Sequence, residues 1–236
     1  MRSLREVLGL ASVPSPKPRP DPAVNLHCSQ FEVNNWLVSE FIVETLIPIV
    51  GVHPFPLNEL VLMVAAVCRV KPARIYEWGT HHGKSARVFY ETAKHFGVDV
   101  EIHSIDLPDT ASHQEHPGDQ RGMLVKGLER VHLHQGDGLS ACLRLHAGTE
   151  KPCSTLVFID GDHSYDSVAR ELEGIITGVP EAQILLHDTF FQSSQSGYNV
   201  GPYQAIVDVL SRTSRRYQII ASGTGLPGMT LLYQLP

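Results

Sequence analysis

The spacing of apolar residues divides the chain into two regimes. Between 31 and 50, Trp36, Leu37, Phe41, Ile42, Thr45 and Leu46 recur near the 3.6-residue period of a helix. A second helix is predicted over 57–70, with Pro56 near its start and Lys71-Pro72 after its end. Beyond that point short apolar runs take over, at 74–78, 100–106, 131–135, 155–160, 183–187, 217–221 and 229–234. Helical patterns at 84–96, 118–129, 139–146 and 164–177 fill the gaps between the first five runs, and 202–213 precedes the sixth. Strands alternating with helices predict βαβ units and an α/β fold built on a mainly parallel, doubly wound sheet. Only residues 222–228 separate the last two runs. No crossover helix fits there, so that pair is expected to be an antiparallel hairpin.

Residues 14–22 carry prolines at every second position, which favours extended polyproline geometry. The segment reads as a linker or arm, with a docking peptide as the alternative. The chain then divides into an arm over 1–30, a helical lead-in or lid over 31–55, and one main domain over 56–236. No internal repeat is visible.

Composition narrows the class. With 236 residues and 42% hydrophobic content, the chain is long enough to bury roughly 70% of its unfolded surface without disulfides or metals. A net charge of −6 argues against partners such as nucleic acid or an anionic membrane surface. The apolar stretch Val7–Ala11 is too short for a signal-peptide core or a membrane span. The four cysteines are scattered with no CxxC pair, as expected of reduced thiols in a cytoplasmic protein. The 13 histidines stand out, but composition alone gives them no role.

In a parallel sheet, ligands gather beyond the carboxyl ends of the strands. After the first strand comes Glu77-Trp78-Gly79-Thr80-His81-His82-Gly83-Lys84-Ser85. Its glycines let backbone approach a ligand, and the helix that follows offers free N–H groups. The spacing is one residue short of a phosphate-binding loop, because Trp78 stands where that loop needs its first glycine. The second strand ends in Asp106, where a carboxylate can accept from the two hydroxyls of a ribose. Gly136-Asp137-Gly138 follows the third strand, placing Asp137 to accept from an adenine amino group; it also reads as an ordinary turn. The fourth strand runs into Asp160-Gly161-Asp162-His163-Ser164-Tyr165, in which Asp162 and His163 are also candidate helix caps. The fifth ends in His187-Asp188-Thr189. If these strands are neighbours, Asp160 and Asp188 converge, and they then share a proton, join a polar network or bind a cation. Oxygen ligands without cysteine suit Mg²⁺, Mn²⁺ or Ca²⁺, while the histidines leave room for a borderline metal.

Taken together, these motifs resemble class I S-adenosylmethionine-dependent methyltransferases. The nearest branch is the small-molecule O-methyltransferases that include macrocin- and mycinamicin-type sugar enzymes and cephalosporin-hydroxylase-like proteins. The likeness covers roughly 55–235 and rests mainly on Asp160-Gly161-Asp162-His163-Ser164-Tyr165 and His187-Asp188-Thr189. It implies a Rossmann-like seven-stranded sheet with helices on both faces. It also implies that Glu77, Gly79, Thr80, Gly83 and Ser85 line the methionine end of the cofactor, Asp106 its ribose, and Asp137 and Gly138 its adenine. Asp160, Asp188 and Thr189 would hold Mg²⁺ or another divalent cation, with threonine standing where relatives carry Asp or Asn. His163 would be the base, acting beside Asp160 on a hydroxyl of a sugar, natural product or related metabolite. His81 and His82 are alternative bases. The stretches 109–122 and 192–201 are candidate lids over the acceptor. The lead-in helix around Trp36 and Phe41 would cover the acceptor or make a homo-oligomer contact. Two further readings stay open: an oxygenase on the same fold, and a non-catalytic nucleotide-binding protein.

Overall fold

The computed structural model describes residues 19–28, 30–111, 117–149, 153–198 and 200–234. Most of the proline-rich arm therefore lies outside the described residues. Seven strands form one sheet: β1 (Arg74–Trp78), β2 (Glu101–Asp106), β3 (Val131–Gln135), β4 (Thr155–Ile159), β5 (Gln183–His187), β6 (Tyr217–Ala221) and β7 (Met229–Gln234). Their order is β3-β2-β1-β4-β5-β7-β6. The first five are parallel, and β7 runs antiparallel to both β5 and β6. This is the doubly wound sheet with a terminal hairpin that the spacing predicts.

The alternation of side chains along each strand feeds two cores. Ile75, Ile102, Leu156, Phe158 and Leu185 face one layer of helices, α3 (Leu57–Val70) and α4 (Lys84–Phe96). Tyr76, Trp78, Val157, Ile159, Ile184 and Leu186 face the other layer, α5 (Gly138–Ala147), α6 (Tyr165–Gly178) and α7 (Val200–Arg212). β4 is buried at every position, as a central parallel strand must be. Local signals set the helix ends. Asn34 caps the lead-in by accepting from the N–H groups of Trp36 and Leu37, and Ser164 caps α6 by accepting from Ser167. Gly97 closes α4 in a left-handed conformation.

Two predicted helices differ from what forms. The lead-in starts at Asn35 rather than 31, because Val33 bridges to Ala23 and Asn34 is spent on the cap. It runs as α1 (Asn35–Phe41), a π-helical stretch (Ile42–Leu46) and α2 (Ile47–Val50). Val38, Phe41, Ile42, Leu46 and Val50 pack into the α3–α4 core, while Trp36 is 87% exposed. The helix expected over 118–129 is absent. Only a 3₁₀ turn at Gly118–Gln120 forms, followed by successive turns. Gly118, Gly122 and Gly127 all take positive φ, which an α-helix cannot accommodate. The segment braces the loop after β1 instead: the N–H groups of Gly122 and Leu124 donate to the carbonyls of His81 and His82.

Candidate functional site at the carboxyl edge of the sheet

The chain enters the sheet at β1, builds outward to β3, then returns to the other side of β1 as β4. The direction of winding reverses between β1 and β4, and a crevice opens beyond the strand ends there. Register brings the predicted residues to this edge. Trp78 pairs with Ile105 and Ile159, and Ile159 with Leu186, so Gly79, Asp106, Asp160 and His187 follow side by side. Gly79 has φ +91°, and a Cβ there would stand 1.9 Å from the Asp160 carbonyl oxygen. Glycine at 79 is what lets the ends of β1 and β4 meet.

On the β2 side, Glu77 is buried at the end of β1. Its Oε1 accepts from the Ser104 hydroxyl at 2.5 Å, and Ser104 lies 2.7 Å from Thr80 Oγ1. Burial raises the Glu77 carboxyl to about 7, against the pull of the Ser104 hydrogen bond. Its second oxygen has no hydrogen-bond partner. A buried acceptor without a partner suits a donor arriving with a ligand. Asp106 accepts from the His81 N–H at 3.0 Å and the Leu107 N–H at 2.8 Å. The Arg121 guanidinium stands 3.4 Å from it and donates to the Leu107 carbonyl.

Asp137 is set differently from an open adenine acceptor. It caps α5 through the Ser140 N–H at 2.9 Å and takes two hydrogen bonds from Arg170. The Arg170 guanidinium holds its carboxyl well below the usual range. Gly138 is needed for space, since a Cβ there would fall 2.4 Å from the Trp78 ring.

The β4–β5 side holds a compact charged cluster. Asp188 follows β5 at φ +55°, a left-handed conformation costly for a non-glycine residue. The β6–β7 hairpin supports it: the N–H groups of Thr189 and Phe190 donate to the carbonyls of Gly228 and Pro227. His163 Nδ1 lies 3.0 Å from Asp188 Oδ2, and its Nε2 lies 3.6 Å from Asp160 Oδ1. His187 Nδ1 lies 2.9 Å from Asp160 Oδ1 and 3.5 Å from Asp188 Oδ2. Its other nitrogen, Nε2, lies 3.0 Å from Glu59 Oε2. Tyr198 donates its hydroxyl to Asp188 at 2.6 Å.

The electrostatics are mutual. Burial opposes charge on both imidazoles, but the carboxylates win. Contacts with Asp160 and Asp188 raise His163 to about 10, and Asp160, Glu59 and Asp188 raise His187 to about 10. Asp160 and Asp188 are held below the ordinary value, because the histidines outweigh the burial that would raise them. One atom each of Asp160, His187 and Asp188 lie within 4.8 Å of one another. Two carboxylate oxygens and a ring nitrogen at that spacing fit a divalent cation. Thr189 Oγ1 lies 2.8 Å from Thr230 Oγ1, and the His187 ring stands with the two aspartates.

Residues 76–189 match the family model for a methyltransferase domain. The match spans β1 to the residues just past β5, so it contains every strand-end residue described above except the support from α3 and the hairpin. The fold is shared with solved structures. SAH-bound methyltransferase PaMTH1 from Podospora anserina is 20% identical, with 75% of this chain and 78% of that one covered at a TM-score of 0.52. An O-methyltransferase from Bacillus cereus in complex with SAH is 14% identical, with 82% and 88% covered at 0.53. CalS11, a TDP-rhamnose 3'-O-methyltransferase of calicheamicin biosynthesis, is 17% identical, with 83% and 86% covered at 0.52. No curated protein sequence matches the chain.

Sequence reasoning missed four residues that shape this edge: Ser104, Arg121, Glu59 and Tyr198. Glu59 is the one charged residue of the largely apolar stretch 57–68, which is a usable signal of a buried polar partner; Ser104, set among Glu101, His103 and Asp106, carries no such signal. Of the predicted lid segments, 112–116 and 199 fall outside the described residues, while Arg121 and Tyr198 reach Asp106 and Asp188. The cysteines at 28, 68, 142 and 153 are free thiols. Among the described residues no helix is long and apolar enough to cross a membrane.

Proposed function

We propose that the protein is an S-adenosylmethionine-dependent O-methyltransferase that methylates a hydroxyl of a small molecule, a sugar or related natural product, with a divalent cation at Asp160 and Asp188. The observation that carries this reading is the position of His163, between those two aspartates and beside the crevice that opens at Gly79. The match to the methyltransferase-domain family model supports methyl transfer, and the likeness in fold to the Bacillus cereus enzyme and to CalS11 supports an oxygen acceptor.

The residues divide the work along the edge. Glu77, through its unpartnered oxygen, and the loop from Gly79 to Ser85 bind the methionine end of the cofactor. Asp106 takes the ribose hydroxyls, and the Asp137–Gly138 turn borders the adenine. A sulfonium methyl is already activated, so the protein's main task is to hold an acceptor oxygen in line with it. A bound divalent cation supplies a lowered hydroxyl pKa. With Asp160 and Asp188 committed to a cation, His163 would release its own proton to solvent, and the freed ring nitrogen would receive the hydroxyl proton. Its place three residues past Asp160 keeps it within reach of the same acceptor.

The test has two parts. S-adenosylhomocysteine is expected to raise the melting temperature of the purified protein. Methyl transfer from labelled S-adenosylmethionine to a panel of nucleotide sugars and phenols is expected to give an O-methyl ether. Absence of any thermal or calorimetric response to S-adenosylhomocysteine overturns the cofactor assignment. Transfer only to nitrogen or carbon acceptors overturns the hydroxyl chemistry.

A further inference from the structure

Glu59 lies outside the segment matched to the family model, in the first turn of α3, and is completely buried. A carboxylate taken fully out of water is costly unless its oxygens are satisfied. Both are. Oε1 accepts from the Gly228 N–H at 2.7 Å, and Oε2 sits 3.0 Å from His187 Nε2. The first contact ties Glu59 to the hairpin that shapes the turn at Asp188. The second fixes the far side of the His187 ring. Phe55 packs edge-on against that ring at 5.0 Å and further limits its rotation. With Nε2 committed to donating to Glu59, the nitrogen left facing Asp160 and Asp188 is Nδ1.

This is how a metal-binding histidine is prepared. One ring nitrogen donates to a buried carboxylate, which fixes the tautomer and makes the other nitrogen a better ligand. Resting on the divalent-cation reading above, we propose that Glu59 is a positioning residue that makes His187 Nδ1 the third protein ligand of the cation site. The site then favours a metal that accepts imidazole, Mn²⁺ or Co²⁺, over Mg²⁺. The donor set is two aspartate oxygens and one imidazole nitrogen. Mg²⁺ keeps to oxygen ligands and gives up water reluctantly, whereas first-row transition metals take imidazole readily. On metal binding the Nδ1 proton, which faces Asp160, would leave to solvent, while the Nε2 proton would stay on the ring, donated to Glu59.

The experiment is calorimetric titration of Mn²⁺, Co²⁺ and Mg²⁺ into the metal-stripped full-length protein, without cofactor or acceptor. The visible absorption of the Co²⁺ form is recorded alongside. Wild type is expected to bind Mn²⁺ and Co²⁺ at least about 10-fold more tightly than Mg²⁺. Glu59→Gln is expected to weaken Mn²⁺ and Co²⁺ about 10–100-fold and to change the Co²⁺ spectrum. His187→Asn is expected to remove the preference over Mg²⁺. It serves as the second variant should Glu59→Gln fail to fold, as judged by circular dichroism. Mn²⁺ affinity and Co²⁺ spectra unchanged in both variants, while Asp160→Asn and Asp188→Asn lose the ion, overturn the inference and leave the cation reading standing. A wild type that prefers Mg²⁺ overturns it in the same way. A wild type that binds none of the three ions overturns both.

Discussion

Alanine at position 79 places a methyl group where the structure has the backbone of Asp160. Two costs add. The native φ of +91° lies in the region that L-residues avoid, for roughly 1–2 kcal/mol. The new Cβ would stand 1.9 Å from the Asp160 carbonyl oxygen and 2.8 Å from its carbon, so the ends of β1 and β4 must part. Pushing packed backbone aside adds roughly 1–3 kcal/mol. The sum, about 2–5 kcal/mol, corresponds to a fall in melting temperature of roughly 5–15 °C for a chain of this size. Gly136→Ala separates the two costs. That glycine has φ +140°, and a methyl group there would meet nothing within 4 Å, so only the conformational cost applies. The functional effect should exceed the thermal one, because Asp160 carries a carboxylate of the proposed site and a shift of about 1 Å can cost 10²-fold in rate. Differential scanning fluorimetry of both variants, with and without S-adenosylhomocysteine, reads stability and binding together. If Gly79→Ala melts with Gly136→Ala and keeps its response to S-adenosylhomocysteine, the close contact between β1 and β4 is not what requires glycine.

The remaining expectations concern charge. Glu77 has a folded pKa of about 7, above its unfolded value, so its ionisation opposes folding: the cost is absent below the unfolded pKa, grows as pH rises toward 7 and then levels off. Glu77→Gln should therefore gain stability over wild type by an amount that increases from pH 4.5 to 7.5, on the order of 3 kcal/mol, in urea denaturation; a difference independent of pH refutes the buried-acid reading. Asp137 has a depressed pKa, so its contribution is present above the unfolded value and lost as pH falls through the folded one. The pair with Arg170 is largely exposed and weak, leaving the α5 cap as the main term, and Asp137→Ala should cost about 1 kcal/mol at pH 7 by denaturant titration. Asp160→Asn and Asp188→Asn should each lower methyl transfer about 10²-fold or more with folding retained, measured by initial rates and circular dichroism. Full activity in either would remove the charged cluster from the mechanism.

The sheet was readable because its signals are local. Apolar runs buried on both faces, such as Thr155–Ile159, leave little choice but a central strand, and the seven residues before β7 leave no room for a helix. The helix expected over 118–129 does not form, for a reason that is equally local. Three glycines in ten residues are compatible with a helical apolar pattern but not with helical backbone once each adopts positive φ. What holds that segment is contact with His81 and His82, more than 35 positions away, which no window of sequence contains.

The site divides along the same line. Residues that follow strands, Gly79, Asp106, Asp160, His163 and Asp188, could be placed at one edge from strand order alone. Their partners could not, because those partners arrive from the helical layers and the hairpin. His187 and Glu59 are 128 positions apart, and only the alternation of β5 decides which face His187 takes. Leu185 and His187 share the α3 side, so a carboxylate in the first turn of α3 can reach the ring. Had His187 stood one position earlier, the pleat would have turned it toward α6 and away from Glu59. One residue of register therefore separates a cluster of two carboxylates from one in which an oriented imidazole completes the set, and at the proposed cation site that difference would set which metal is preferred.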